Sequence, residues 1–404
     1  MDKQIQQCTD CGSAMVFSPD GSAQVCPVCT GQAPPADAPP PPPEKITSCK
    51  KCGADLKFAP GVSMLKCPYC QHEMEIEVDQ SALADAQAEQ DFHAALNAVS
   101  EQKETFEVHT IKCGTCAAET TLNENIDADE CPYCGTSIVR GGEATQKIIK
   151  PQALLPFKIV QAATVELFQG WIKSRWFAPN KLKLYARVDS KLQGVYVPHW
   201  TYDSNTTTDY TGQRGQHYYE TQRYTDSNGK SQTRQVRRTR WYYASGRVYN
   251  SFDDVLVLAS ESLPRKHAEK LEPWDLQELM PYKEEFLSGF RAENYSVGLE
   301  DGFERAKQLM EPEIDRNIRR DIGGDEQRIS SKDVFYGNIS FKHLLLPIWV
   351  SAFRFKNKVF RFLVNARTGE VQGERPWSWL KITGAVIAGI ALIAGIVFLV
   401  KANQ

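Results

Sequence analysis

This chain has no cysteine outside three four-residue sets and no histidine pair at the H-x3-H spacing of a zinc hydrolase. Its histidines, at 72, 93, 109, 199, 217, 267 and 343, are scattered. No apolar stretch follows Met1-Asp2-Lys3-Gln4, so no secretory signal is read there. Asn228-Gly229-Lys230-Ser231 ends like a phosphate-binding loop, but the position that must be glycine holds Tyr224. With no free thiol, no histidine cluster and no such loop, the chain is expected not to be an enzyme. Net charge is also lacking, at −3 over 404 residues, but the balance is uneven. Residues 1–142 carry 9 Lys+Arg against 21 Asp+Glu (9 − 21 = −12), and the remainder 38 against 29 (38 − 29 = +9).

What is present is cysteine in matched sets. The quartets are Cys8, Cys11, Cys26, Cys29; Cys49, Cys52, Cys67, Cys70; and Cys113, Cys116, Cys131, Cys134. Each reads C-x2-C-x14-C-x2-C, next to the spacing of four-cysteine zinc sites. Two Cys-x-x-Cys turns brought together by a hairpin complete a tetrahedral S4 site, and four protein ligands leave no open position for catalysis. Gly12 and Gly53 follow the first pair in two of the sets, where a tight turn favours positive φ. Cys-Pro-x-Cys recurs at each second pair, with Pro27, Pro68 and Pro132. Three structural zinc ions are therefore expected. A disulfide scaffold would need an exported chain. His72 follows a quartet that is already complete and reads as a surface residue.

The expected organisation is ribbon one at 1–31, a Pro-rich linker at 32–45, ribbon two at 46–78, a helical linker at 79–103 and ribbon three at 104–142. An α+β domain with antiparallel sheet follows at 143–376, and a C-terminal segment at 377–404. The run DQSALADAQAEQDFHAALNAVSEQ (79–102) lacks Gly and Pro and predicts a single helix. Gly194–Trp200 and Asp254–Leu258 predict buried strands, and Asn228-Gly229 a hairpin turn. Val197-Pro198-His199-Trp200 and Leu346-Pro347-Ile348-Trp349 form a weak internal echo, as duplicated β-halves would. Residues 264–321 read as mostly helical, with Pro273, Pro281 and Pro312 as breaks or starts.

Ile382–Val400 holds one hydroxyl and no charge, close to the ~20 apolar residues of a membrane span. Trp377, Trp379, Arg375 and Lys381 precede it, which predicts one transmembrane helix with the bulk of the chain in a reducing cytoplasm. Ala385/Gly389 and Ala391/Gly395 suggest helix–helix packing and oligomerisation.

Between Tyr210 and Val248 lie Arg214, Arg223, Lys230, Arg234, Arg237, Arg238, Arg240 and Arg247, interleaved with Tyr218, Tyr219, Trp241, Tyr242 and Tyr243. Arg234, Arg237, Arg238, Arg240 and Trp241 are the candidate residues for anionic lipid or another polyanion. A solvated strand face is the plainer reading. Asp253-Asp254 and the pair Asp321 and Asp325 could hold a cation, though such residues more often cap turns.

The stretches GVYVPHWTYD (194–203), FDDVLVLAS (252–260), LEPWDL (271–276) and NARTGEVQGERPWSW (365–379) resemble a family of bacterial zinc-ribbon (TFIIB-type-like), membrane-anchored proteins. These are commonly labelled "primosomal protein N′ (replication factor Y), superfamily II helicase". The similarity runs from the third ribbon to the end of the chain. The resemblance implies a membrane-associated adaptor in envelope stress or maintenance, with PspA-type or SPFH-domain proteins as partners. The helicase label is not supported, because the nucleotide-binding loop is missing. The sequence thus favours a membrane-anchored adaptor whose ribbons recruit proteins. The alternative, a nucleic-acid-binding zinc-ribbon protein, is disfavoured because the ribbon region is acidic and binding to phosphate needs basic surface.

Overall fold

The computed structural model describes residues 47–402 apart from 59, 62–63, 68, 77, 101–104, 114–118, 122–127, 132, 134–136, 140–143, 178–191, 226–228, 356–357 and 375–377, together with 16–17 and 24–25. Two units result. Met1–Pro43 contains a small hairpin, Val16–Phe17 against Gln24–Val25, and Glu44–Gln404 forms the second unit.

In chain order the main elements of the second unit are β1 (Asp55–Phe58), β2 (Met64–Lys66), β3 (Glu73–Glu75), α1 (Gln80–Gln87) and α2 (Phe92–Ser100). There follow β4 (Gln193–Thr225), β5 (Ser231–Leu258), α3 (Leu299–Ile322), β6 (Glu326–Phe355), β7 (Lys358–Asn365) and α4 (Trp379–Ala402).

A large antiparallel sheet dominates, built on β4, β5 and β6, with β4 in the middle. Along β4, buried Ser204, Thr206, Thr208 and Tyr210 alternate with exposed Asn205 and Asp209, the period-2 pattern of a strand with one covered face. The cover is α3. Its buried Leu299, Phe303, Ala306, Met310, Ile314, Ile318 and Ile322 recur every three or four residues and pack on Trp200, Tyr202, Tyr210 and Val248. Gly302 is needed where the helix meets the sheet, since a Cβ there would sit 2.3 Å from the Tyr202 hydroxyl. Pro312 lies inside α3 and does not end it. It faces solvent, where water can serve the carbonyl that loses its amide donor.

The two echoed segments pair directly, Val197 opposite Leu346 and Tyr196 opposite Pro347. Both prolines accept a backbone bond in the same way, Pro198 from Ala259 (3.0 Å) and Pro347 from Ala366 (3.1 Å).

Two expectations are corrected. The run at 79–102 is two helices, α1 and α2, with Gln90–Asp91 pairing to β6 between them. The break has local causes: the Gln152 side chain binds the carbonyls of Asp85 and Ala88, and the Asp91 carboxylate accepts the Ala94 amide at 2.7 Å. The expected transmembrane helix is also overturned. Among the described residues no helix is long and apolar enough to cross a membrane.

Candidate metal centre and basic arm

Cys49, Cys52, Cys67 and Cys70 converge, their sulfurs all within 4.8 Å of one another. Cys49 to Cys70 is 3.6 Å and Cys52 to Cys67 is 3.5 Å. A tetrahedral ion with bonds of ~2.3 Å would set its sulfurs ~3.8 Å apart, so the quartet fits one metal ion.

The two turns that present the thiols are built alike. The Cys49 amide donates to Ala54 O (2.7 Å) and the Gly53 amide to Cys49 O (2.8 Å). In the second turn Cys67 donates to His72 O (2.9 Å) and Gln71 to Cys67 O (3.0 Å). Gly53 and Gln71 occupy the matching left-handed positions, at φ 73° and 56°. Amides also point at sulfur, Lys51 N to Cys49 Sγ (3.4 Å) and Cys70 N to Cys67 Sγ (3.5 Å). That second bond is the leading reason the Cys67 thiol is held down at about 6. His72 contributes its carbonyl and lies outside the ligand set.

This ribbon is built into the second unit. Cys49, Leu56, Phe58, Leu65 and Cys67 share a core with Leu154, Phe157, Phe286 and Trp349. Phe58 N binds Ser288 O (2.9 Å), and the Phe58 and Phe286 rings meet edge-on at 5.5 Å.

Ribbon three is described only at Cys113, Cys131 and Tyr133 among its knuckle residues. Cys113 and Cys131 are buried against Val195, Val197, Leu258 and Ile348 of the sheet. Tyr133, between Pro132 and Cys134, is 1% exposed and donates its hydroxyl to Glu293 Oε2 at 2.6 Å. Glu293 is itself buried, and its other oxygen accepts the hydroxyls of Ser260 and Ser262. The same motif in ribbon two, Cys67-Pro68-Tyr69-Cys70, leaves Tyr69 79% exposed. Neither tyrosine was singled out in the sequence. The available signal was that Cys-Pro-x-Cys has tyrosine at x in two of its three copies. Cys8, Cys11, Cys26, Cys29, Cys116 and Cys134 lie outside the described residues.

The basic residues occupy a two-stranded arm. β6 leaves β4 at Gly215, opposite Glu326, while β4 and β5 stay paired out to Thr225 and Ser231. About ten residues per strand project beyond the third strand, roughly 33 Å. Ser231 opens β5, so strand and not helix follows the Gly229-Lys230 turn.

Register divides the candidate residues. Arg234, Arg238 and Arg240 share one face with Tyr218, Glu220, Gln222 and Tyr224, whereas Arg237 and Trp241 lie on the other. The arginine face continues the one that α3 covers lower down, and it is open because the helix stops at Ile322. Arg234 donates twice to Gln222 Oε1 (3.0 and 3.2 Å) and lies over Tyr224, Arg240 lies over Tyr218 at 5.0 Å, and Arg238 binds Glu220 at 3.2 Å. Trp241 is half-buried under Arg328, 3.8 Å from its ring.

The acidic pairs separate. Asp254, at φ 50° on a bulge, turns to the buried Lys342 (2.8 Å), while Asp253 converges with Glu89 and Asp203. Burial and then the bond with Glu89 push Asp203 up to about 7. Asp321 accepts the Tyr210 hydroxyl (2.6 Å) and Asp325 the His217 amide (2.7 Å). Asp254, Asp321 and Asp325 are thus occupied by the protein itself, while Glu89, Asp203 and Asp253 form a group that could hold a cation.

Two of the stretches behind the family resemblance meet around Arg367. Its guanidinium, 6% exposed, binds Asp275 with both Nε and Nη2, and Asn365 Nδ2 donates to the carbonyls of Leu271 and Pro273. That clamp closes the turn 365–369 on the segment 271–278 and is structural.

No family model matches the chain, and no solved structure matches it. It is similar to a Bacillus subtilis (strain 168) protein described as "Uncharacterized protein YdjG", 27% identical over 253 residues, which is 62% of this chain and 70% of that one.

Proposed function

We propose that this chain is a zinc-ribbon adaptor that holds protein partners on its metal-ordered knuckles, with one zinc ion in each cysteine quartet. Four thiolates in a tetrahedral cluster suit zinc and leave the ion no site for substrate. The observation that carries the reading is Tyr69. Its counterpart Tyr133 is buried and hydrogen-bonded, so a Cys-Pro-Tyr-Cys knuckle is a group that docks, and Tyr69 is held ready on the outside. A rigid tyrosine is a favourable interface anchor because few rotamers are lost on binding. The resemblance adds PspA-type or SPFH-domain proteins as the partners to try first. A membrane-spanning segment forms no part of the reading.

The test is capture by the immobilised, zinc-loaded full chain, with PspA-type and SPFH-domain proteins as purified prey. At least one should be retained by the natural chain and lost with Tyr69→Ala, which leaves the quartet intact. Equal retention by the natural, Tyr69→Ala and metal-stripped chains would refute the adaptor reading.

A further inference from the structure

The arm differs chemically from the rest of the surface. Between Tyr210 and Asn250 there are seven arginines and one lysine, Lys230, with Tyr218, Tyr219, Tyr224, Tyr242, Tyr243 and Tyr249 all more than a third exposed. Arginine and tyrosine enriched over lysine is the composition of protein-binding hot spots. Phosphate backbones and lipid surfaces draw on lysine as readily.

The arginines also differ from one another. Arg247 is neutralised in place, with Nε and Nη2 each 2.7 Å from Asp209. Arg234 and Arg240 are oriented by neutral groups, Gln222 with Tyr224 and Tyr218 respectively, and neither makes an ion pair among the described residues. These contacts orient both side chains and leave their charges unpaired among the described residues. A guanidinium so held loses little freedom when it takes a carboxylate in bidentate fashion. The sequence between the two strands, Asp226-Ser227-Asn228-Gly229-Lys230, holds no apolar residue to enter a bilayer. Glu220, in the middle of the face, interrupts any continuous phosphate track.

We propose that the Arg234–Arg238–Arg240 face of the arm docks a carboxylate-rich segment of a partner protein. The inference rests on the adaptor reading and gives it a second contact, distinct from Tyr69.

The experiment uses the zinc-loaded full chain with three probes: a labelled poly-L-glutamate peptide, duplex DNA of matched charge, and phosphatidylcholine vesicles carrying about 30% phosphatidylserine. Polyglutamate should bind most tightly, and less so as salt rises. Replacing Arg234 and Arg240 together by Gln should weaken it about tenfold or more. Replacing both by Lys should recover only part, because an ammonium neither stacks nor binds in a fork. Arg247→Gln should change little, and thermal melts verify that each variant folds. Absence of polyglutamate binding, tighter binding to DNA or vesicles, or an equal loss with Arg247→Gln would overturn the proposal. Tyr69-dependent capture could survive any of these, so the two readings fail separately.

Discussion

Ribbons two and three carry the same Cys-Pro-Tyr-Cys knuckle, and the buried cysteines behave alike in both: Cys49 and Cys113 are 3% and 2% exposed, Cys67 and Cys131 0% and 1%. The tyrosines do not, at 79% and 1%. Ribbon two enters the core through the hairpin side chains Leu56, Phe58 and Leu65 and turns Tyr69 outward. Ribbon three inserts Tyr133 beside Glu293 and the central strands. The knuckle motif is the same in both, and its neighbours decide whether its tyrosine is buried or exposed.

Metal removal should separate the ribbons from the rest most strongly. Structural zinc sites hold on the order of 10 kcal/mol, and Cys67 lies in the core that Phe58 shares with Phe286. Chelation, or Cys67→Ser, should raise hydrogen exchange in β1 and β2 far more than in β4 to β6. Unchanged exchange in β1 and β2 would mean that the hairpin packing holds ribbon two without metal.

Next in size is the contrast between the two tyrosines. Tyr133→Ala empties a buried site and should cost about 3–5 kcal/mol, whereas Tyr69→Ala should stay within about 0.5 kcal/mol. Denaturant melts of the two variants read this directly, and equal losses would end the comparison.

Acidification probes the sheet on which ribbon three rests. Burial pushes His343 down to about 4, and likewise His199. Both stay neutral in the folded chain while the unfolded chain takes up protons below about 6.5. The stability they allow is therefore complete above that pH and is lost as pH falls from about 6.5 towards 4. For one histidine the loss is at most about 3 kcal/mol over the whole window. His343→Gln should show a shallower fall in melting temperature than the natural chain. Metal loss at low pH is common to both chains, so identical slopes would count against a buried neutral His343.

The smallest effect should come from Tyr133→Phe. It keeps the ring and removes one donor from Glu293, which retains Ser260 and Ser262. A loss of about 1–2 kcal/mol is expected in the same melts, with no counterpart for Tyr69→Phe. No loss would show that ring packing alone seats the knuckle.

Much of this was legible in the residues. The cysteine spacing located a quartet that does converge, and Gly53 has the positive φ expected of it. The strands at 194–200 and 254–258 and the Asn228-Gly229 hairpin were legible because alternation and turn chemistry are local. The split of 79–102 was not, since its cause is Gln152 and the edge of β6, both distant in sequence. The apolar run at 382–400 predicted a membrane span from composition alone, and among the described residues no helix is long and apolar enough to be one. The candidate arginines were named as one set, but only strand register shows that Arg237 faces away from Arg234, Arg238 and Arg240.

The sequence by itself determined the thiol sets, the turns that present them and the charge of the arm, because metal-ligand spacing, left-handed turn positions and side-chain charge act over a few residues. Tertiary structure alone decided which knuckle tyrosine is buried and which arginines of the arm are ion-paired. Those outcomes depend on contacts between residues far apart in the chain, such as Tyr133 with Glu293 and Arg247 with Asp209, which no local pattern records.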